Sequence, residues 1–114
     1  MVGRACDELF AEAKKWEPED FALHLAGRNN EPLAVILEVA ERMVKDNDTR
    51  RCLALLAHGQ VHHKHPLLDE LEAKCVWARG DRVRGLALAR MAHAKWGEDY
   101  LRDLAEVMAR MLAG

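Results

Sequence analysis

The sequence predicts an all-α fold of about seven short antiparallel helices, and three observations carry that expectation. Half of the residues are apolar and about a third are charged, with Ala, Leu, Arg and Glu abundant and Val and Ile sparse, a mix rich in strong helix formers. Apolar residues recur at helical spacing, and no stretch shows the strict alternation of a half-buried strand. The three prolines and most of the glycines fall where one periodic segment stops and the next begins. At 114 residues the chain suits a single domain over 1–114, with one hydrophobic core.

The first helix is expected from Gly3 to Trp16, with Leu9, Phe10, Ala13 and Trp16 as its apolar stripe. Pro18 opens the second, where a proline is best tolerated, and Glu19 and Asp20 suit the positive end of its dipole. It closes at Gly27, and "RNNE" reads as a polar turn. Pro32 opens the third, whose stripe is Leu33, Ile36, Leu37, Ala40 and Met43 or Val44. Asp46, Asn47 and Asp48 then turn the chain and cap a fourth helix from Thr49, carrying Cys52, Leu53, Leu55 and Leu56. Gly59 and the histidines are expected to end it. Pro66 opens the fifth helix, with Leu67 or Leu68, Leu71, Cys75 and Val76 inward. "RGD" at Arg79 to Asp81 is the next turn, and Asp81 is the N-cap of a sixth helix containing Val83, Leu88 and Met91. Gly97 ends that helix, and Glu98 to Ala113 form the seventh, with Leu101, Leu104, Met108, Met111 and Leu112 on its apolar face.

Self-similarity organises these elements. "RCLALLAHGQ" (51–60) laid over "RGLALARMAH" (84–93) matches Arg, Leu, Ala and Leu at an offset of 33. Small residues keep step: Cys52 with Gly85, Gly59 with Ala92, Ala40 with Ala73, and the turn residue Asn47 with Gly80. A further step back sets Ala26 under Gly59, Leu23 under Leu56, and Phe10 under Met43 and Val76. Small residues on both helices of a pair let the backbones approach, and stacking the pairs buries a core that one pair could not bury alone.

This order of small residue, large apolar residue, turn Gly or Asn, and two further small residues resembles the tetratricopeptide repeat. The third unit shows it as Ala73, Val76, Gly80, Gly85 and Ala92, and the second as Ala40, Met43, Asn47, Cys52 and Gly59. The first unit is degenerate, with Asp7 and Glu19 at small-residue places. Asp69 and Glu72 stand in the third unit where the family carries an early aromatic and leucine. The resemblance implies helix pairs at 3–28, 31–60 and 65–97 with a capping helix at 98–113, and a scaffold that binds proteins on a surface lined by the first helix of each pair. More remotely, the size and architecture are similar to the small tetratricopeptide-like chaperones of bacterial secretion systems.

Chemistry is sparse. "HGQVHHKH" holds His58, His62, His63 and His65, and His58 and His62 would share one helical face at zinc-site spacing. Without a cysteine or an HExxH pattern beside them, an inter-repeat loop is the preferred reading and no cofactor is expected. Cys6, Cys52 and Cys75 match no zinc spacing and read as small buried hydrophobes of a reducing compartment. Serine is absent, and neither a nucleophile–base pair nor a phosphate loop is found, so an enzyme is not expected. Lys plus Arg (17) nearly balance Asp plus Glu (19), which disfavours nucleic acid. The longest apolar run, Cys52 to Ala57, is far below spanning length, and the N-terminus resembles no targeting peptide, so a cytoplasmic protein is expected.

The expected function is therefore a non-catalytic interaction module, chaperone or adaptor that holds a peptide or helix of another protein. Its candidate partner-binding residues are Val35, Glu38, Val39, Arg42, Asp69, Glu72 and Lys74, with Trp96 as an aromatic anchor. A metal-binding protein using His58, His62, His63 and His65 is the alternative, and a nucleic-acid-binding helical subunit a further one. Self-association stays open.

Overall fold

The computed structural model describes residues 2–28 and 31–114. These form seven α-helices: α1 Val2–Ala13, α2 Pro18–Ala26, α3 Leu33–Lys45, α4 Thr49–His62, α5 Pro66–Ala78, α6 Arg82–Trp96 and α7 Asp99–Ala113. No strand occurs among the described residues. Part of the expected "RNNE" turn, Asn29 and Asn30, lies outside them.

Two ends differ from expectation by more than one residue. α1 stops at Ala13 rather than Trp16, and its last amides, Lys15 and Trp16, bond three residues back to the carbonyls of Glu12 and Ala13. Pro18 explains the early release: its ring excludes helical backbone from the residue before it, and Glu17 is extended at φ −64° and ψ 154°. In the other direction, α4 does not end at Gly59 but continues to His62. Gly59 is buried inside the helix, and the chain becomes extended only at His63, φ −128° and ψ 143°, on the approach to Pro66.

The chain divides into two compact units, residues 1–64 and 65–114. Within the N-terminal unit α1 packs on α3, α2 on α4, and α3 on α4. Its buried residues include Cys6 and Leu9 from α1, Phe21 and Leu25 from α2, Ile36 and Met43 from α3, and Cys52, Leu55 and Leu56 from α4. α3 buries Val35 and Val39 as well, while Leu33, Leu37 and Val44 are only half-buried. Its inward arc is rotated from the expected stripe because two neighbours, α1 and α4, flank it.

Within the C-terminal unit α6 packs on both α5 and α7. Ala73, Leu86, Ala89, Ala105 and Met108 form a buried cluster, with Trp77, Leu88, Leu104 and Ala109 against it. The residues of α6 expected to face inward do not: Val83 is 70% and Met91 65% exposed, and Leu88 is half-buried. Gly85, Leu86, Ala89 and Ala92 face inward instead. The cause is proximity. A Cβ on Gly85 would lie 3.0 Å from Trp77 Cβ and 3.1 Å from its Cα and N, so only the small-residue face of α6 can meet α5. On α7, Met111 and Leu112 are likewise exposed, and Ala105 joins Leu101 and Met108 inside.

Two helix connections are alike in detail. At α3–α4 the amides of Asp46 and Asn47 return to the carbonyls of Arg42 and Val44; at α5–α6 those of Arg79 and Gly80 return to Cys75 and Trp77. Asn47 (φ 59°) and Gly80 (φ 101°) both take left-handed backbone, which Gly adopts freely and Asn tolerates. The following residues match too, Asp48 at φ −92° and ψ 68° and Asp81 at φ −87° and ψ 73°. Asp81 accepts from the Arg84 amide at 3.2 Å, whereas Asp48 engages the Arg51 guanidinium at 3.2 Å.

Candidate functional site

The predicted partner-binding residues separate into three groups. Val35 and Val39 are buried, 1% and 0% exposed, so they pack inside the N-terminal unit and offer nothing to a partner. The expectation that they line a binding surface on a first helix fails because the rotation of α3 places them inward. Glu38 and Arg42 are spent on a strap between α1 and α3: Arg42 donates to Glu38 at 3.3 Å and to Asp7 at 2.7 Å, and its guanidinium lies 5.9 Å from the Phe10 ring. Lys74 pairs with Glu70 at 3.3 Å along α5.

Asp69, Glu72 and Trp96 form the third group, which the fold brings together. The α5–α6 hairpin sets Asp69 and Glu72, one helical turn apart on α5, against the last turns of α6. There the Trp96 indole N–H donates to Asp69 Oδ2 at 2.6 Å, and Lys95 Nζ stands 4.0 Å from the same oxygen and 5.0 Å above the Trp96 ring. Beside them is a surface depression of about 280 Å³, lined by Asp69, Glu72, Leu88, Met91, Ala92 and Lys95. Leu88, Met91 and Lys95 were missed from the sequence. They project from α6 at positions 88, 91 and 95, off the small-residue face that the repeat marks out, and that was the available signal.

A second, larger groove of about 530 Å³ belongs to the N-terminal unit, between α2 and α4. Ala22, Ala26, Ala54 and Ala57 line it, together with Val61, Arg28, His58 and His62. Arg28 is already held by Glu12 at 2.5 Å and Glu31 at 2.8 Å. Glu12 also accepts from His24 Nε2 at 2.5 Å, and His24 stacks on Trp16 with centroids 4.9 Å apart. Burial alone would push the Glu12 carboxyl up, but these hydrogen bonds outweigh it and hold it below its ordinary value.

The four clustered histidines have separate local roles. His58 and His62 share one face of α4, as expected, and their rings meet edge to face at 5.4 Å. His63 Nε2 bonds the Glu31 carbonyl at 2.9 Å, and His65 Nδ1 caps α5 by accepting from the Leu67 amide at 3.1 Å. Among the described residues no three His, Cys, Asp or Glu side chains are grouped to hold a metal ion. The Cys6 thiol is pushed up by burial, which opposes thiolate formation.

His58 is the electrostatic exception. Its Nε2 is buried without a hydrogen-bond partner among the described residues, and burial lowers its pKa, helped by His62, Arg28 and His63 against the opposing charge of Glu31. The unfolded chain therefore takes up a proton near pH 6.5 that the folded chain resists. Stability should be full above about pH 6.5 and decline as the pH falls from there toward the lower folded value. Melting wild type and His58→Leu between about pH 7.5 and 5.5 checks this: the variant should show the flatter profile, and equal slopes would rule the account out.

Compared with family models, curated proteins and solved structures, the chain finds no match. Among the described residues no helix is long and apolar enough to cross a membrane.

Proposed function

We propose that this chain is a non-catalytic protein-binding module, a small chaperone or adaptor, that holds a helix or peptide of a partner on its C-terminal unit. The observation that carries this reading is the depression beside Trp96, where Met91, 65% exposed, and half-exposed Leu88 share the lining with the α5 carboxylates Asp69 and Glu72. Ligand pockets for small molecules run to roughly 300–1,000 Å³ and enclose most of their occupant. A shallow site of about 280 Å³ suits one or two side chains of a larger partner. The helix-pair reading adds support: in the N-terminal unit first helix packs on first (α1 on α3) and second on second (α2 on α4), and the two turn geometries recur. Such pairing fits a tetratricopeptide-like stack.

Met91→Glu tests the placement. A surface change of this kind costs within about 0.5 kcal/mol of stability, so the far-ultraviolet circular dichroism should be unchanged. Affinity capture from the native host's lysate should then return a protein bound by wild type and lost, by about tenfold or more, with the variant. The same proteins captured equally by both chains would sink the proposal.

A further inference from the structure

We infer that the α5–α6 groove selects a helical partner segment carrying a lysine or arginine within one turn of an aliphatic side chain. This rests on the reading of that groove as a docking surface and adds the chemistry of its occupant.

The charges around the groove do not balance. Asp69 already accepts the Trp96 indole N–H and faces Lys95, and Glu70 beside it is matched by Lys74. Glu72 is half-buried at the edge of the depression and has no hydrogen-bond or ion-pair partner among the described residues. Water satisfies its carboxylate while the groove is open. Any occupant that covers Leu88 and Met91 removes part of that water, and a partly desolvated carboxylate without a counter-charge is costly. A neutral apolar occupant leaves that cost in place, and an anionic one adds like-charge repulsion. A cationic side chain removes it.

The spacing sets the pattern of the occupant. Leu88 and Met91 lie one turn apart on α6, as do Asp69 and Glu72 on α5, so the apolar floor and the acidic wall run side by side along the hairpin. A helix laid into a groove between two helices presents residues at i, i+3 and i+4 to it. One aliphatic residue on the Leu88–Met91 floor and one cation on Glu72 satisfy both.

The probes are an amphipathic helical peptide of about 15 residues, long enough to hold helix, with leucine on one face and lysine on the other, and its twin with glutamate for lysine. Binding to the full chain is read by fluorescence anisotropy. The lysine peptide should bind wild type at least tenfold more tightly than the glutamate peptide. Glu72→Gln should reduce that ratio to a few-fold, while Glu106→Gln, an equal charge change at an exposed site on α7, should leave it intact. A ratio unaltered by Glu72→Gln, or lowered equally by Glu106→Gln, overturns the inference. Equal binding of both peptides that Met91→Glu abolishes overturns the cation preference and leaves the docking surface standing. Binding of neither peptide, or lysine-peptide binding indifferent to the uncharged change Met91→Asn, overturns both.

Discussion

Phe21→Ala should be the most damaging single truncation in the N-terminal unit. Phe21 is 0% exposed on a nine-residue helix, the shortest of the seven, whose only other buried member is Leu25. Truncating a buried Phe to Ala costs about 3–5 kcal/mol, from lost transfer energy and the cavity left behind. Whole domains are stable by only about 5–15 kcal/mol, so α2 would lose most of what holds it on α4. A chain of this length should lose on the order of 15 °C in melting temperature. Leu23→Ala, two residues along the same helix on its opposite face and 74% exposed, should change the midpoint little. Similar midpoints for the two variants would mean that α2 is not anchored through Phe21.

Gly85→Val should be the counterpart in the C-terminal unit. Any Cβ at this place comes within 3.0–3.1 Å of Trp77, including its backbone, and backbone cannot yield as a flexible side-chain tip can. Overpacking of this kind costs about 1–3 kcal/mol, occasionally more, and a β-branched residue adds two methyls where there is no room for one. Against it stands the helix-propensity gain on leaving glycine, at most about 1 kcal/mol. The clash therefore prevails for Val and is nearly offset for Ala. Gly3→Ala, where a Cβ meets nothing within 4 Å, isolates the propensity gain and should be neutral or slightly stabilising. Denaturant midpoints of the three variants check the order, and a Gly85→Val chain as stable as wild type would refute the close approach of α5 and α6.

These two sites show how far the residues alone carry the fold. Most helix starts and stops were legible because they rest on local chemistry: Pro18 and Pro66 at first turns, Asp81 accepting from an amide three residues on, and Gly97 closing α6 at φ 73°. Which face turns inward was legible only where the repeat spoke. Cys52 with Gly85, Gly59 with Ala92 and Ala40 with Ala73 are buried as matched pairs. Hydropathy spoke against it on α6 and misled, because it ranks Val83 and Met91 above Ala89, and close helix approach does not. The degenerate first repeat misled in turn: Leu23 and Ala26, set under buried Leu56 and Gly59, are exposed. For the site, Asp69, Glu72 and Trp96 were recognised as candidates, but that Trp96 would reach Asp69 across 27 residues depends on the length of the α5–α6 hairpin, which no local pattern encodes.

The matching turns of the two hairpins have one more consequence. Asp46-Asn47-Asp48 and Arg79-Gly80-Asp81 trace the same path with different side chains and opposite flanking charge, so the path is prescribed by one left-handed residue followed by an aspartate. The three letters RGD, which elsewhere invite thoughts of cell adhesion, are here a piece of joinery. As a spare part, that joint could be transplanted between the hairpins, leaving surface charge free to drift around it.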